Sequence, residues 1–207
     1  MKIYDLTHSL RPGIAVWPGD TPYRRTISQS IRAGDSTNGS VISLSLHTGT
    51  HLDSPGHYLD GGPTVEKLDL ALLVGPARLV TAEPRGGLIQ PESLEAALAD
   101  RPLRLLVRAN RPTDLSQFPE KFAAFSAEAA EAIVQAGVRV LGIDAPSVDA
   151  FDAGDLPVHR TLGKVGGVIL ENLRLSEPPD GDYQLIALPL KIEGGDGSPV
   201  RVAVIAS

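Results

Sequence analysis

Val41-Ile42-Ser43-Leu44-Ser45-Leu46-His47-Thr48-Gly49-Thr50-His51-Leu52-Asp53-Ser54-Pro55-Gly56-His57 is the stretch on which the reading of this chain turns. Its first six residues put Ile42, Leu44 and Leu46 on one side and polar serines between them, the alternation of a half-buried strand. The pattern breaks at His47. Gly49, two threonines and Pro55 disfavour helix over the residues that follow. The spacing predicts instead a tight turn through Gly49, then extended chain in which His51 and Asp53 point the same way. A strand therefore delivers three imidazoles and a carboxylate to one loop.

Outward from this segment, the runs 78–82, 103–109, 138–144, 183–192 and 200–205 are rich in Val, Leu and Ile and read as strands. Two segments read as helices. The first, 91–100, opens on Pro91, carries acidic residues near the positive end of its dipole and spaces Leu94 and Leu98 one turn apart. The second, 126–137, has Ser126 as N-cap, Gly137 as its stop, and Ala130, Ile133 and Val134 on one face. Strands outnumber helices and the two alternate, so the expected fold is α/β (α+β), a single domain over 1–207 with a layered mixed β-sheet and a few packed helices.

Composition narrows the function. The net charge is -6 and the basic residues are scattered, with no stripe that could follow a phosphate backbone, so nucleic acid is not an expected partner. Cys is absent, so any metal must be held by His, Asp and Glu. The first residues, MKIYDLTHSLRPG, lack the basic and apolar regions of a signal peptide, and no stretch approaches the ~20 apolar residues that cross a bilayer. A cytoplasmic protein without membrane attachment is expected.

Of the 5 histidines, His47, His51 and His57 crowd together and His159 stands far downstream. His8, alone in its segment, fits a turn or a satisfied core residue. Imidazole nitrogens with the Asp53 carboxylate and no thiolate suit zinc, manganese or iron, and core packing offers no reason to concentrate titratable groups so densely. Glu171 ends the apolar run Val168-Ile169-Leu170, where burial would require a positive partner such as a metal. Read alone, Glu171 fits a solvent-facing strand end and His159 a surface residue equally well.

The segment His47 to His57 resembles the HxGTHxDxPxH signature of the metal-dependent cyclase superfamily, which includes the bacterial kynurenine formamidases, and fills every fixed position of it. The resemblance extends to Val16-Trp17-Pro18-Gly19-Asp20-Thr21-Pro22, to Gly142-Ile143-Asp144-Ala145-Pro146-Ser147-Val148-Asp149, and to Asp182-Tyr183-Gln184-Leu185-Ile186-Ala187-Leu188-Pro189-Leu190-Lys191. It implies two divalent metal ions per chain, with zinc the expected metal. His47, His51 and Asp53 would hold the first, Asp53 also reaching the second, while His159 and Glu171 complete the second and Glu171 bridges. His57 would stay off the metals as the catalytic proton carrier, and Trp17 would line the substrate pocket and stack on an aromatic ring.

The resemblance further implies a β-rich layered fold, a homodimer whose partner subunit helps close the pocket, and a small-molecule substrate. The implied reaction is hydrolysis of N-formyl-L-kynurenine to L-kynurenine and formate in tryptophan degradation. No G-x-S-x-G elbow is present to supply a serine nucleophile. Departures from the formamidase pattern lie mainly in 86–125 and 164–167. The rival readings are hydrolysis of another small or cyclic amide, such as the ring opening of isatin, and a metal-binding module without catalysis. His57 beside the ligands argues against the module, since a closed structural site has no use for a free proton carrier.

Overall fold

The computed structural model describes residues 1–110 and 114–206. In chain order its strands are β1 (Lys2–Asp5), β2 (Arg24–Gln29), β3 (Gly39–Ser43), β4 (His51–Asp53), β5 (Val74–Thr81), β6 (Leu88–Ile89), β7 (Arg104–Arg108), β8 (Ala124–Phe125), β9 (Val140–Ile143), β10 (Val168–Glu171), β11 (Gly181–Pro189) and β12 (Gly197–Ala206). Its α-helices are α1 (Leu70–Leu73), α2 (Glu95–Ala99), α3 (Ala127–Gln135) and α4 (Pro157–Lys164). Eight strands form one mixed sheet in the order β1-β12-β11-β5-β7-β9-β10-β4, and β4 also pairs with β12, so the sheet closes on itself. β5, β7, β9 and β10 run parallel.

Closure explains the apolar runs. Alternate residues of the central strands, among them Leu79, Leu106, Val140, Leu170, Leu185 and Val202, fill the inside of the closed sheet. The residues between them, including Leu105, Val107, Leu141, Ile143 and Ile169, pack outward beneath residues of α3 and α4. Strands buried on both faces read as continuous hydrophobic stretches, which is why the runs 103–109 and 138–144 identify β7 and β9. Each fully buried Leu or Ile contributes about 1.5–3 kcal/mol through the surface it removes from water.

The helix expected over 126–137 forms as α3. The Ser126 side chain accepts a hydrogen bond from the Ala129 N–H at 3.1 Å, a cap that stabilises a helix by about 1 kcal/mol. The segment 91–100 is less regular, a 3₁₀ turn over Pro91–Ser93 followed by the short α2, and Pro102 closes it. No helix among the described residues is long and apolar enough to cross a membrane.

The strand expected over 41–46 needs correction. β3 covers Gly39–Ser43 and pairs only with β2, in a two-stranded ribbon outside the main sheet. Its apolar residues are not half-buried: Val41 is 61% and Ile42 53% exposed, with Ile27 of β2 at 64%. No other strand pairs with this ribbon among the described residues, and Val41 and Ile42, neighbours on opposite faces of β3, are both uncovered.

Candidate functional site

β4 is three residues long and carries two ionisable side chains, a poor strand by intrinsic preference. It is extended because its two neighbours supply ladders, β10 on one side and β12 on the other. Successive side chains in a strand point to opposite faces. Leu52 therefore enters the interior core, while His51 and Asp53 face the helix-covered side. Glu171 of β10 lies directly opposite His51 in register, so it shares that face, and Gly197 of β12 lies opposite Asp53. The site sits on the seam where the sheet closes.

His47 arrives from the turn that the sequence places at Gly49. Gly49 has φ +66°, and a Cβ there would lie 2.9 Å from Leu10 Cδ2, so both conformation and space call for glycine. The turn brings His47 Nδ1 to 2.7 Å from Asp53 Oδ1. It also presents the Gly49 carbonyl to His51 Nδ1 at 2.9 Å, leaving His51 Nε2 to face Asp53 Oδ1 at 3.3 Å and Glu171 Oε2 at 3.4 Å.

His159 is neither on the surface nor in a loop: it lies in the first turn of α4 and is buried. Leu156, just before Pro157, takes a left-handed conformation with φ 47° and provides no side-chain cap. Such a conformation in a branched residue costs on the order of 1–3 kcal/mol and persists only where surrounding contacts enforce it. Asp149 supplies them. Its Oδ1 accepts from the Val158 N–H at 2.9 Å, and its Oδ2 accepts from the His159 N–H at 3.1 Å and pairs with His159 Nδ1 at 2.7 Å. One buried carboxylate thus caps the helix and orients the ring, which turns Nε2 toward Asp53 Oδ2 and Glu171 Oε1, each at 3.5 Å.

The structure brings together every ionisable residue singled out from the sequence. His47, His51 and Asp53 form one group whose donor atoms lie within 4.8 Å of one another, and Asp53, His159 and Glu171 form a second. Asp53 belongs to both, and the two Glu171 oxygens face His51 and His159 separately. His51, Asp53, His159 and Glu171 are 1–3% exposed. Among the described residues no Lys or Arg pairs with Asp53 or Glu171, so the buried carboxylates are balanced only by imidazoles.

That balance is visible in the titration behaviour. Burial alone would lower the His51 pKa, but the adjoining Asp53 and Glu171 carboxylates outweigh it and hold it up at about 10. His159 is raised against the same burial by Asp149, Asp53 and Glu171. Asp53 is held well below the usual carboxylate range: burial opposes the shift, but the surrounding imidazoles dominate. Protons thus take the part that divalent cations would play, and the donor set, nitrogens and carboxylate oxygens on convergent side chains, fits such ions. The outer ring nitrogens of His51 and His159 have their own acceptors, as metal-binding imidazoles generally do.

His57 follows in a 3₁₀ turn, its Nδ1 3.1 Å from Asp196 Oδ2 and its ring 4.0 Å from that of His47. Above the cluster opens a cavity of about 300 Å³, with Trp17, Phe118, Pro119 and Leu156 on its apolar wall. Trp17 stands in the turn expected at Pro18-Gly19, the Asp20 N–H donating to its carbonyl at 2.9 Å, and it packs against Phe118 and Phe151 at 5.1 and 5.3 Å. Two residues at the site carry no role in the sequence reading. Asp149 precedes His159 by ten positions, a spacing that belongs to no common helix-cap pattern. Asp196 lies between Gly195 and Gly197, where a lone Asp reads as a turn residue.

A buried cluster of imidazoles and carboxylates beneath an apolar cavity has the donor set and the open side of a metal-dependent active site. The chain belongs to the cyclase family, matching the family described as putative cyclase over residues 4–150. It is 40% identical to a kynurenine formamidase from Bacillus cereus over 97% of this chain and 95% of that protein. Among solved structures it resembles a potential metal-dependent hydrolase with cyclase activity, with a TM-score of 0.84 and 31% identity over 98% of this chain and 96% of the other. It also resembles isatin hydrolase A from Labrenzia aggregata, with a TM-score of 0.81 and 25% identity over 98% and 93%.

Proposed function

We propose that this chain hydrolyses N-formyl-L-kynurenine to L-kynurenine and formate, a step of tryptophan degradation, with two divalent metal ions, zinc being the expected metal. The observation that carries this reading is the near full-length similarity to a kynurenine formamidase, at 40% identity, in a chain whose signature residues converge under an aromatic cavity. His47, His51 and Asp53 would hold one ion; His159 and Glu171, with Asp53, would hold the other, and Glu171 has an oxygen facing each side. When bound, such ions lower the pKa of water from about 15.7 towards ~7 and polarise a carbonyl oxygen.

The chain's own groups do the rest. The aromatic wall receives the aminobenzoyl ring, with Trp17 stacking on it, and Asp20 on the cavity lining suits the ammonium of the amino-acid arm. His57 accepts a proton as water adds to the formyl carbon. It returns that proton to the aniline nitrogen as the C–N bond breaks, so that one water is consumed and an arylamine and formate are released.

The deciding assay compares N-formyl-L-kynurenine with isatin on metal-loaded protein. Turnover of the first well above the second is the expected result, and a preference for isatin overturns the substrate assignment. Trp17→Ala should weaken binding of the aryl substrate by about tenfold, since stacking contributes ~0.5–1.5 kcal/mol beyond area burial. Its melting temperature should hardly move. An unchanged KM with a large loss of thermal stability would make Trp17 a core residue instead.

The protein is further proposed to be a homodimer. The uncovered β2–β3 ribbon, with Ile27, Val41 and Ile42 facing out, supports a surface that a second copy covers. Sedimentation equilibrium should return twice the 21.8 kDa chain mass, and Val41→Asp should bring it to the single-chain value. A wild-type monomer would leave the exposed ribbon without that explanation.

A further inference from the structure

Asp196 has no task in the reaction just described, yet its place is closely determined. Its backbone carbonyl accepts from the Ser54 N–H at 3.0 Å and from Ser54 Oγ at 2.8 Å, directly beside Asp53. The next residue, Gly197, passes so near His47 that a Cβ there would lie 2.7 Å from the ring's Cε1. The β4–β12 pairing thereby carries the Asp196 side chain over the edge of the cluster. There its Oδ2 lies 3.1 Å from His57 Nδ1 and 3.1 Å from His47 Nε2, while the two rings face each other 4.0 Å apart at 33°.

A carboxylate oxygen can only accept, so the nitrogen that His57 turns to Asp196 is the protonated one, and its tautomer follows. His57, donating through Nδ1, keeps Nε2 as its basic nitrogen. His47 Nε2 lies at the same distance from that Asp196 oxygen, while its Nδ1 is hydrogen-bonded to Asp53 Oδ1 at 2.7 Å. We propose that Asp196 is a positioning residue that holds His57 as the Nδ1–H tautomer, with Nε2 free to carry the substrate's proton. This deepens the hydrolase reading and rests on His57 as its proton carrier.

In the reaction Nε2 takes the proton of water as the new C–O bond forms, and the resulting imidazolium stays hydrogen-bonded to the Asp196 carboxylate. The proton on Nε2 then passes to the aniline nitrogen as the C–N bond breaks, and His57 returns to its starting tautomer. Asp196 itself is never protonated. Its charge matters because a carboxylate stabilises the imidazolium through the Nδ1–H hydrogen bond more strongly than a neutral amide oxygen can.

The test is Asp196→Asn, a substitution of the same shape, made in the wild-type and His57→Ala backgrounds and assayed with metal in excess. In the wild-type background kcat should fall about 10- to 100-fold, part of the ~10²–10⁴-fold that a positioned acid or base supplies, with KM and metal content unchanged. In the His57→Ala background the substitution should cost nothing further, because a residue acting through His57 has nothing left to act on. The ¹⁵N imidazole resonances of His57 should show a protonated Nδ1 in wild type and lose that signature in the variant. An unchanged kcat, a fall of equal size in both backgrounds, or loss of metal from the variant would each overturn the proposal. The NMR reading needs no substrate: if wild type fails to hydrolyse N-formyl-L-kynurenine yet the tautomer depends on Asp196, the substrate assignment falls and the positioning role stands.

Discussion

His51→Ala is expected to strip the protein of bound metal and of hydrolysis together. The imidazole is 2% exposed and stands between the two carboxylates of the cluster, 3.3 Å from Asp53 and 3.4 Å from Glu171. Its removal leaves both acids facing each other in a buried site with one cation-binding nitrogen fewer. No other nitrogen can take its place, since His159 is fixed by Asp149 and His47 lies between Asp53 and Asp196. Removing one partner of a buried charged pair costs about 3–5 kcal/mol, which as binding free energy is about 10²–10⁴-fold in affinity.

Metal content by mass spectrometry after gel filtration, measured beside the rate, checks this. A variant that keeps full metal and full rate would remove His51 from the ligand set. Uptake by the wild type should also strengthen with rising pH. The neighbouring carboxylates hold the His51 pKa up at about 10, so over the ordinary working range a proton occupies the nitrogen that must ligate. Raising the pH removes that competitor.

His57→Ala should have the opposite signature: metal and fold kept, hydrolysis reduced by about 10²–10⁴-fold, the range attributed to a positioned acid or base. The ring is over a third exposed at the rim of the cavity, so truncation opens no buried void. Its nearest partners are Asp196 and the His47 ring, with the Tyr58 and His159 rings farther off at 6.2 and 6.4 Å, and each of these is held by other contacts as well. The pH–rate profile should lose the limb that His57 contributed. Loss of metal from this variant would make His57 a ligand, and an undiminished rate would move the proton carrier elsewhere. The pair of variants separates an enzyme from a metal-storage module, because only an enzyme loses rate while keeping its ion.

What could be read from the sequence depended on whether a signal was local. The strands 103–109 and 138–144 were legible because both faces are buried and consecutive residues such as Leu105, Leu106 and Val107, or Val140 and Leu141, are apolar, and α3 because Ser126 and Gly137 mark its ends. The cluster His47, His51, Asp53 and His57 was legible because four ionisable groups fall within eleven residues. α4 was missed because Pro157–Lys164 offers only Val158 and Leu162 as an apolar face, includes a glycine, and starts on an uncapped left-handed Leu156. Its cap comes from Asp149, a tertiary contact, and with the helix unseen the burial of His159 stayed undecided. Asp196 was missed for a like reason: 139 residues separate it from His57, and only the closing of the sheet brings them together. The alternation of Ile42, Leu44 and Leu46 was real as a pattern, but periodicity records which residues share a face and not what covers it, and Ile42 is 53% exposed.

Closure of the sheet through β4 also bears on the order in which the protein acquires its site during synthesis. His47, His51 and Asp53 leave the ribosome early, but the strand that seats them has no partners until β10 and then β12 emerge. Contacts so distant in sequence are reached late, because the chain entropy of the intervening loop is lost before any pairing energy is gained. A nascent chain ending near residue 150 would therefore carry the signature without the geometry. Any metal that these side chains take up can be held by the full set of them only once β10 and β12 are in place.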